Sequence, residues 1–129
     1  MKKEIILFGF VLTSFCFAER PNVEQCNIAD SPLGVLIGTY ESKNNYNIAN
    51  ALSPLRTLNL PLSDMTLAEI RKRQLQGTNV LHATGRFQVI GVTLGSAITY
   101  LGLSLSSNYD KYTQDKIFTE YLAYAKEIN

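Results

Sequence analysis

The chain has 129 residues, of which 46% are hydrophobic and 18% are charged. This length and residue usage are typical of a single globular domain and argue against a disordered chain or a bundle of membrane helices. The formal net charge is only +1 at pH 7, which disfavours a nucleic-acid partner, because such a partner requires a clustered basic surface.

The first 18 residues have the organisation of a secretory signal peptide. Two lysines precede an apolar run from Ile5 to Phe17, and the tripeptide that ends at Ala18 has small residues at both positions that a signal peptidase reads. Cleavage there would leave residues 19–129 as one domain in the periplasm or outside the cell. Two alternatives are a transmembrane anchor, which needs about 20 apolar residues, and a lipid-modified Cys16, which needs an upstream leucine.

Loss of this segment would change both the charge and the cysteine count. Without Lys2, Lys3 and Glu4 the 12 basic and 11 acidic residues become ten of each, so we expect no electrostatic binding to a membrane. Cys26 would then stand alone, which predicts no internal disulfide and excludes a zinc site of paired cysteines. We expect Cys26 to be buried as a small hydrophobe, with an intermolecular link as the alternative.

The first predicted helix follows an aperiodic lead-in. Ser31 can cap this helix with a proline at its first position, and apolar residues then recur at helical spacing as far as Ser42. Residues 44–61 are rich in Asn and Pro, which predicts an irregular or short β segment beside a cleft.

The second predicted helix has a clear start and stop. Thr66 and Glu69 form a capping box, and Gly77 ends the helix at about Gln76. Its basic group, Arg71 to Arg73, is interpreted as the solvated face of the helix rather than as a phosphate site. A polar loop is expected from the end of this helix to Gly85.

Two more helices are predicted in the C-terminal part. Thr93 is expected to cap a helix that runs to Gly102, and either Asp110 or Thr113 opens the last one. The last helix has one apolar stripe that we expect to lie in the core: Ile117, Phe118, Tyr121, Leu122 and Ala125. The predicted fold class is therefore mainly α, a small helical domain whose irregular or short β segment flanks a cleft.

Motifs for nucleotide or metal chemistry are absent from the sequence. It has no Gly-rich phosphate loop of useful spacing, no HExxH pattern and a single histidine, His82. We expect neither a cofactor nor a metal ion. A Ser-His-Asp arrangement is disfavoured because no GxSxG elbow is present.

Glu41 is the candidate catalytic residue on physical grounds. It lies at the C-terminal end of the first predicted helix, where the helix dipole disfavours an anion, and Ile37, Tyr40 and Tyr46 would add an apolar wall. A carboxyl group that keeps its proton can act as a general acid towards a leaving sugar oxygen. On position alone, a solvated glutamate at a helix end is the simpler interpretation.

Two separated motifs strengthen the catalytic interpretation. The sequences "YES" at Tyr40 to Ser42 and "GRFQVI" at Gly85 to Ile90 together resemble the paired motifs of the lysozyme-like lytic transglycosylases. The resemblance is closest to the lambda-phage lysozyme type, whose second motif is similar to Gly-Arg-Tyr-Gln. Two further stretches agree in order, "MTLAEIRKRQ" from Met65 to Gln74 and "YTQDKIFTEYL" from Tyr112 to Leu122. The resemblance spans about residues 34–125.

The resemblance implies an α+β lysozyme-like fold and an exported glycosidase that cleaves the β-1,4 bond between N-acetylmuramic acid and N-acetylglucosamine. It implies that Glu41 is the general acid and then the base, that Gln88 lies in the cleft, and that Ser42 orients the acid or caps the helix. It further implies cleft-wall or substrate contacts for three residues: Tyr46, Asn47 and Arg86.

The departures from the family pattern bear on the products. The Ala-Tyr-Asn motif of larger transglycosylases has no counterpart, and the remaining acids resemble helix starts or solvated faces, with Asp64 as a remote candidate for a second acid. The absence of a second carboxylate favours attack by the 6-hydroxyl of muramic acid on its own anomeric carbon, which leaves a 1,6-anhydro end. A hydrolytic lysozyme and a non-catalytic glycan-binding or assembly protein are the alternatives. The expected partner is peptidoglycan, in local wall opening for a secretion apparatus or in phage-derived lysis.

Overall fold

The structure, a computed structural model, describes residues 21–50, the backbone of 56–57, and residues 61–125. The predicted signal segment, residues 1–18, lies outside the described residues. Within the described ranges, none of the helices has the length and apolar character needed to cross a membrane.

Helix α1, Pro32–Ser42, has the bounds that the sequence predicts. Ser31 caps its first turn, and the left-handed residues Lys43 (φ 56°) and Asn44 (φ 60°) end it. The backbone N–H of Asn44 donates to the carbonyl of Gly38 at 2.8 Å, which satisfies one of the last carbonyls of the helix. The chain therefore turns sharply just beyond the candidate acid.

A small antiparallel sheet follows α1. Its strands are β1 (Ile48–Asn50), β2 (Arg56–Thr57) and β3 (Ala83–Thr84), arranged in the order β2-β1-β3. Ala49 opposes Thr84, and both residues are fully buried. The short β segment predicted after the first helix is confirmed, whereas β3 was predicted as loop, because its strand character comes from pairing with distant β1.

Helix α2, Leu67–Leu75, begins with the predicted capping box. The backbone N–H of Thr66 donates to Glu69 Oε2 at 2.7 Å, and the backbone N–H of Glu69 donates back to Thr66 Oγ1 at 3.2 Å. The backbone and side-chain hydrogen bonds from Thr66 hold the pKa of Glu69 below its ordinary value of 4.5.

Helix α3, Gly91–Leu101, begins two residues before the predicted cap at Thr93, so that prediction is wrong. Its N-cap, Ile90, makes no side-chain cap hydrogen bond. The helix start is set instead by Val89, the residue before the N-cap, because Thr84 and Val89 exchange backbone hydrogen bonds of 3.1 and 2.9 Å. A contact between backbones defines this boundary, and side-chain capping rules do not detect it.

Helix α4, Lys111–Ile117, continues into a π-helical turn, Phe118–Leu122. Asp110 is its N-cap and accepts from the backbone N–H of Thr113 at 2.9 Å, which decides between the two predicted starts. The predicted apolar stripe is confirmed, with Ala125 half-buried and the other four members buried.

The hydrophobic core lies among all four helices and the sheet. Its largest side chains with no more than 1% exposure are Leu62, Met65, Leu67, Ile70, Leu81, Leu94, Tyr109, Ile117 and Phe118. Burial raises the pKa of Tyr109 to about 12, although a hydrogen bond with Thr84 opposes this effect. The described residues thus form a small α+β fold in which helices predominate.

Cys26 requires a correction. It is half-buried and takes part in a disulfide, whereas the sequence predicted a buried, lone cysteine for the chain without residues 1–18. Cys16 itself lies outside the described residues.

Candidate functional site

The turn from Gly85 to Gln88 connects β3 to α3 and contains the second sequence motif. Gly85 and Gln88 both have left-handed backbones, with φ of 75° and 49°. Gln88 N–H donates to the carbonyl of Gly85 at 3.2 Å, which closes the turn. A glutamine at positive φ is strained and persists only where its surroundings impose it, a condition that recurs at functional sites.

Glu41 and Gln88 line the same cavity, which has a volume of about 360 Å³. Six apolar side chains and one hydroxyl complete its lining: Ile37, Phe87, Val89, Ile90, Phe118, Leu122 and Thr93. Glu41 is therefore the one ionisable group among the described residues that line this cavity. The side chain is exposed, and it has no hydrogen bond or ion pair within the described part of the chain.

The side-chain amide of Gln88 is oriented by two backbone carbonyls. Its Nε2 donates to the carbonyl of Gly85 at 3.0 Å and to that of Ile48 at 3.4 Å. No described residue donates a hydrogen bond to its Oε1. Gln88 therefore offers one acceptor oxygen at the wall of the cavity.

Ser42 fastens the end of α1 to the turn. Its hydroxyl is buried and lies 2.7 Å from the carbonyl oxygen of Arg86 and 3.2 Å from that of Gly38. One hydroxyl proton serves one strong bond, and the shorter distance assigns it to Arg86. This bond joins the end of α1 to the turn and so keeps Glu41 close to Gln88, while no hydrogen bond links the Ser42 hydroxyl to the Glu41 carboxylate within the described residues.

Arg86 and Tyr46 lie outside the Glu41 cavity, although both were predicted to contact substrate. Arg86 is 4% exposed, and its guanidinium donates to Tyr46 Oη at 2.8 Å and to Asn44 Oδ1 at 2.9 Å. It also forms ion pairs with Asp30 at 3.5 Å and Asp115 at 3.8 Å. The donors of Arg86 are therefore directed at protein groups in the free chain.

Asp115 is the centre of this second cluster and is only 2% exposed. It accepts from Tyr46 Oη at 2.7 Å, from Lys111 Nζ at 2.6 Å and from Asn27 Nδ2 at 2.9 Å. We call Asp30, Tyr46, Arg86, Lys111 and Asp115 the Asp115 network. Burial and the bond to Asp115 raise the pKa of Tyr46. Burial lowers the pKa of Lys111, but its bonds to Asp115 and Tyr46 outweigh this and raise it overall.

Gln114 completes the support of the turn and was not singled out from the sequence. Its Oε1 accepts from the backbone N–H of Arg86 at 3.0 Å, and its Nε2 donates to the carbonyls of Tyr46 and Tyr109 at 3.0 and 2.8 Å. The side chain is 3% exposed, and all of these bonds are to backbone groups. The available signal was the position of Gln114 four residues before Phe118, on the same helix face as the apolar stripe.

The other predicted wall residues have different positions. Asn47 does not line the cavity; its Oδ1 accepts from the backbone N–H of Ser63 at 2.9 Å and so holds a loop. Of the three predicted wall residues, Ile37 lines the cavity, whereas Tyr40, which is 83% exposed, and Tyr46 do not. Asp64 is exposed and does not line the cavity either.

Comparisons with protein-family models, with curated proteins and with solved structures found no match to this chain. Within residues 21–50 and 61–125, no group of three or more His, Cys, Asp or Glu side chains is placed to hold a metal ion.

Proposed function

We propose that the chain is an exported peptidoglycan glycosidase, with Glu41 as its single general acid and base. The bond cleaved is the β-1,4 linkage between N-acetylmuramic acid and N-acetylglucosamine, in the periplasm or outside the cell. The proposal rests on one observation: Glu41 and Gln88, which come from different elements, line one cavity with an apolar wall.

The composition of the cavity suits a sugar ring. The C–H faces of a pyranose pack on apolar side chains, and a few placed polar groups set its orientation. No described residue donates to Gln88 Oε1, so this atom can accept a hydrogen bond from a sugar hydroxyl or an acetamido N–H. Glu41 has no partner among the described residues, so its carboxyl group is available to the glycosidic oxygen.

The proposed reaction is that of a lytic transglycosylase. A glycosidase of the usual kind needs a second carboxylate, about 5–10 Å from the first, as nucleophile or base. The lining of the Glu41 cavity includes no other carboxylate among the described residues. The 6-hydroxyl of muramic acid therefore attacks its own anomeric carbon: Glu41 gives its proton to the leaving oxygen and then takes the hydroxyl proton. A hydrolytic lysozyme is the alternative within this class.

A non-catalytic glycan-binding or assembly protein is the second candidate function. The observation in its favour is the exposure of Glu41, since many catalytic acids are shielded from water. The presence of Gln88 on the same cavity favours the enzyme, because a solvated helix-end glutamate needs no such neighbour.

The test is digestion of purified peptidoglycan by residues 19–129 and by the Glu41→Gln variant, with products resolved by mass spectrometry. We expect 1,6-anhydro ends from the wild type and a rate about 10²- to 10⁴-fold lower for Glu41→Gln. Glu24→Gln, at an exposed glutamate outside the cavity, is the matched control and should retain activity. Reducing ends would identify a hydrolase, and no release by the wild type would leave only the binding function.

A further inference from the structure

Arg71 lies between two cavities that the proposed function does not use. One has a volume of about 230 Å³ and is also lined by His82, Leu75 and Ile90. The other is wider, about 770 Å³, and extends from Arg71 along α3 past Ser96. A half-buried guanidinium is thus accessible from both sides.

Two glycines of α3 leave room for the side chain of Arg71. Arg71 Nη1 donates to the carbonyl of Gly91 at 2.6 Å. A Cβ atom at Gly91 would lie 3.2 Å from Nη1, and one at Gly95 would lie 2.9 Å from Nη2. Side chains at these two positions would displace the guanidinium, so the glycines allow it to lie against the helix.

Among the described residues, Arg71 differs from the other half-buried or buried cations because no described acid pairs with it. Arg86 pairs with Asp30 and Asp115, and Lys116 pairs with Glu120 at 2.9 Å. No carboxylate of the described residues lies within ion-pair distance of Arg71. The sequence predicted that Arg71 to Arg73 lie on the solvated face of the helix. This is confirmed for Lys72 and Arg73, which are exposed, but not for Arg71, which is half-buried. An uncompensated, partly desolvated guanidinium is a receptor for an anion, and a carboxylate matches its geometry.

Ile90 connects this position to the Glu41 cavity. It lines both the 360 Å³ cavity with Glu41 and the 230 Å³ cavity with Arg71. The rim on the Arg71 side is apolar and exposed, with Leu75 at 74% and Val92 at 79%. A ligand that extends from the Glu41 cavity across Ile90 therefore contacts the apolar side chains of Leu75 and Val92 first and the guanidinium of Arg71 next.

We propose that Arg71 binds a carboxylate of the short peptide carried by muramic acid, which makes peptide-bearing glycan the preferred substrate. This inference rests on the proposed function. The lactyl group of muramic acid is the attachment point of that peptide, so the peptide leaves the sugar from the residue whose bond is cleaved. Its alanine methyl groups suit the Leu75 and Val92 rim, and its free carboxylates suit the guanidinium.

The test compares cleavage of intact glycan strands with that of strands whose peptides an amidase has removed. We expect Arg71→Gln to reduce the rate on peptide-bearing strands about tenfold, the order of one charge-assisted hydrogen bond, and to leave peptide-free strands unaffected. Arg71→Lys should restore part of the rate, and Lys72→Gln, an exposed cation on the same helix, is the control. Equal loss on both substrates, or no loss on either, would overturn the inference.

A binding measurement separates this inference from the proposed function. Wild-type protein is titrated with a soluble muramyl tripeptide that has free carboxylates, and with its amidated form, while NMR follows Arg71 Nε and the Val92 amide. Shifts with the free acid alone support the carboxylate site, even for a protein that cleaves no peptidoglycan. Unchanged signals overturn the site even if Glu41-dependent cleavage is observed.

Discussion

The Glu41 cavity and the Asp115 network meet at the turn from Gly85 to Gln88, but their polar groups are bonded in opposite ways. In the cavity, Glu41 has no partner among the described residues, and Gln88 keeps one free acceptor. In the network, Asp115 alone accepts three hydrogen bonds. The polar side chains of the network thus hold the turn in place. Glu41 and Gln88, which line the cavity, keep hydrogen-bonding capacity for a ligand, as a binding site requires.

The charge distribution follows the same division. The network holds two cations and two carboxylates, so its charges compensate within the protein: Arg86, Lys111, Asp30 and Asp115. The cavity holds one acid, Glu41, whose charge no described cation compensates. Substitutions in the network should therefore change stability, whereas substitutions at the cavity should change activity.

The largest effect on stability is expected for Gly85→Ala. The new Cβ would collide with Gln114 Oε1, and alanine at φ 75° adds backbone strain, so we expect the free energy of unfolding to fall by about 4 kcal/mol. Gly102→Ala is the matched control: its φ is 62°, but no described atom lies within 4 Å of the new Cβ, so we expect the free energy of unfolding to fall by only about 1 kcal/mol. Denaturant unfolding measures both. Equal losses would show that Gln114 does not fix the turn.

The second effect is expected for Asp115→Asn, which breaks the network at its centre. Loss of this carboxylate leaves Arg86 buried with one exposed partner, Asp30, so we expect the free energy of unfolding to fall by about 3 kcal/mol. Asp30→Asn is the control, with a side chain 60% exposed and an expected loss below about 1 kcal/mol. A larger loss for Asp30→Asn than for Asp115→Asn would contradict the central role of Asp115.

The sequence predicted those elements whose ends are set by nearby side chains. The Ser31 cap, the Thr66 and Glu69 capping box and the Asp110 cap each involve residues within three positions, and all are present. The start of α3 and the strand β3 were missed, because both depend on backbone pairing that no local pattern records.

The candidate site, too, was predicted only in part from the sequence. Glu41 and Gln88 were identified as a pair from two motifs, and they do line one cavity. Arg86 and Tyr46 were assigned to substrate from the family resemblance, and the sequence gives no sign that Asp115 approaches both of them. A buried ion pair depends on which helix packs against the turn, and this is decided by the tertiary fold.

The smallest change in stability, combined with a clear change in activity, is expected for Gln88→Asn. Asparagine tolerates positive φ better than glutamine does, which offsets the loss of the hydrogen bond to Gly85, so the free energy of unfolding should stay within about 0.5 kcal/mol. The shorter side chain carries its acceptor oxygen away from the cavity, and cleavage of peptidoglycan should fall about tenfold. Unfolding and digestion assays on the same preparation measure both. Full activity would show that Gln88 only holds the turn in its conformation. The Gln88 side of the cavity would then contribute to stability, as the Asp115 network does, and not to activity.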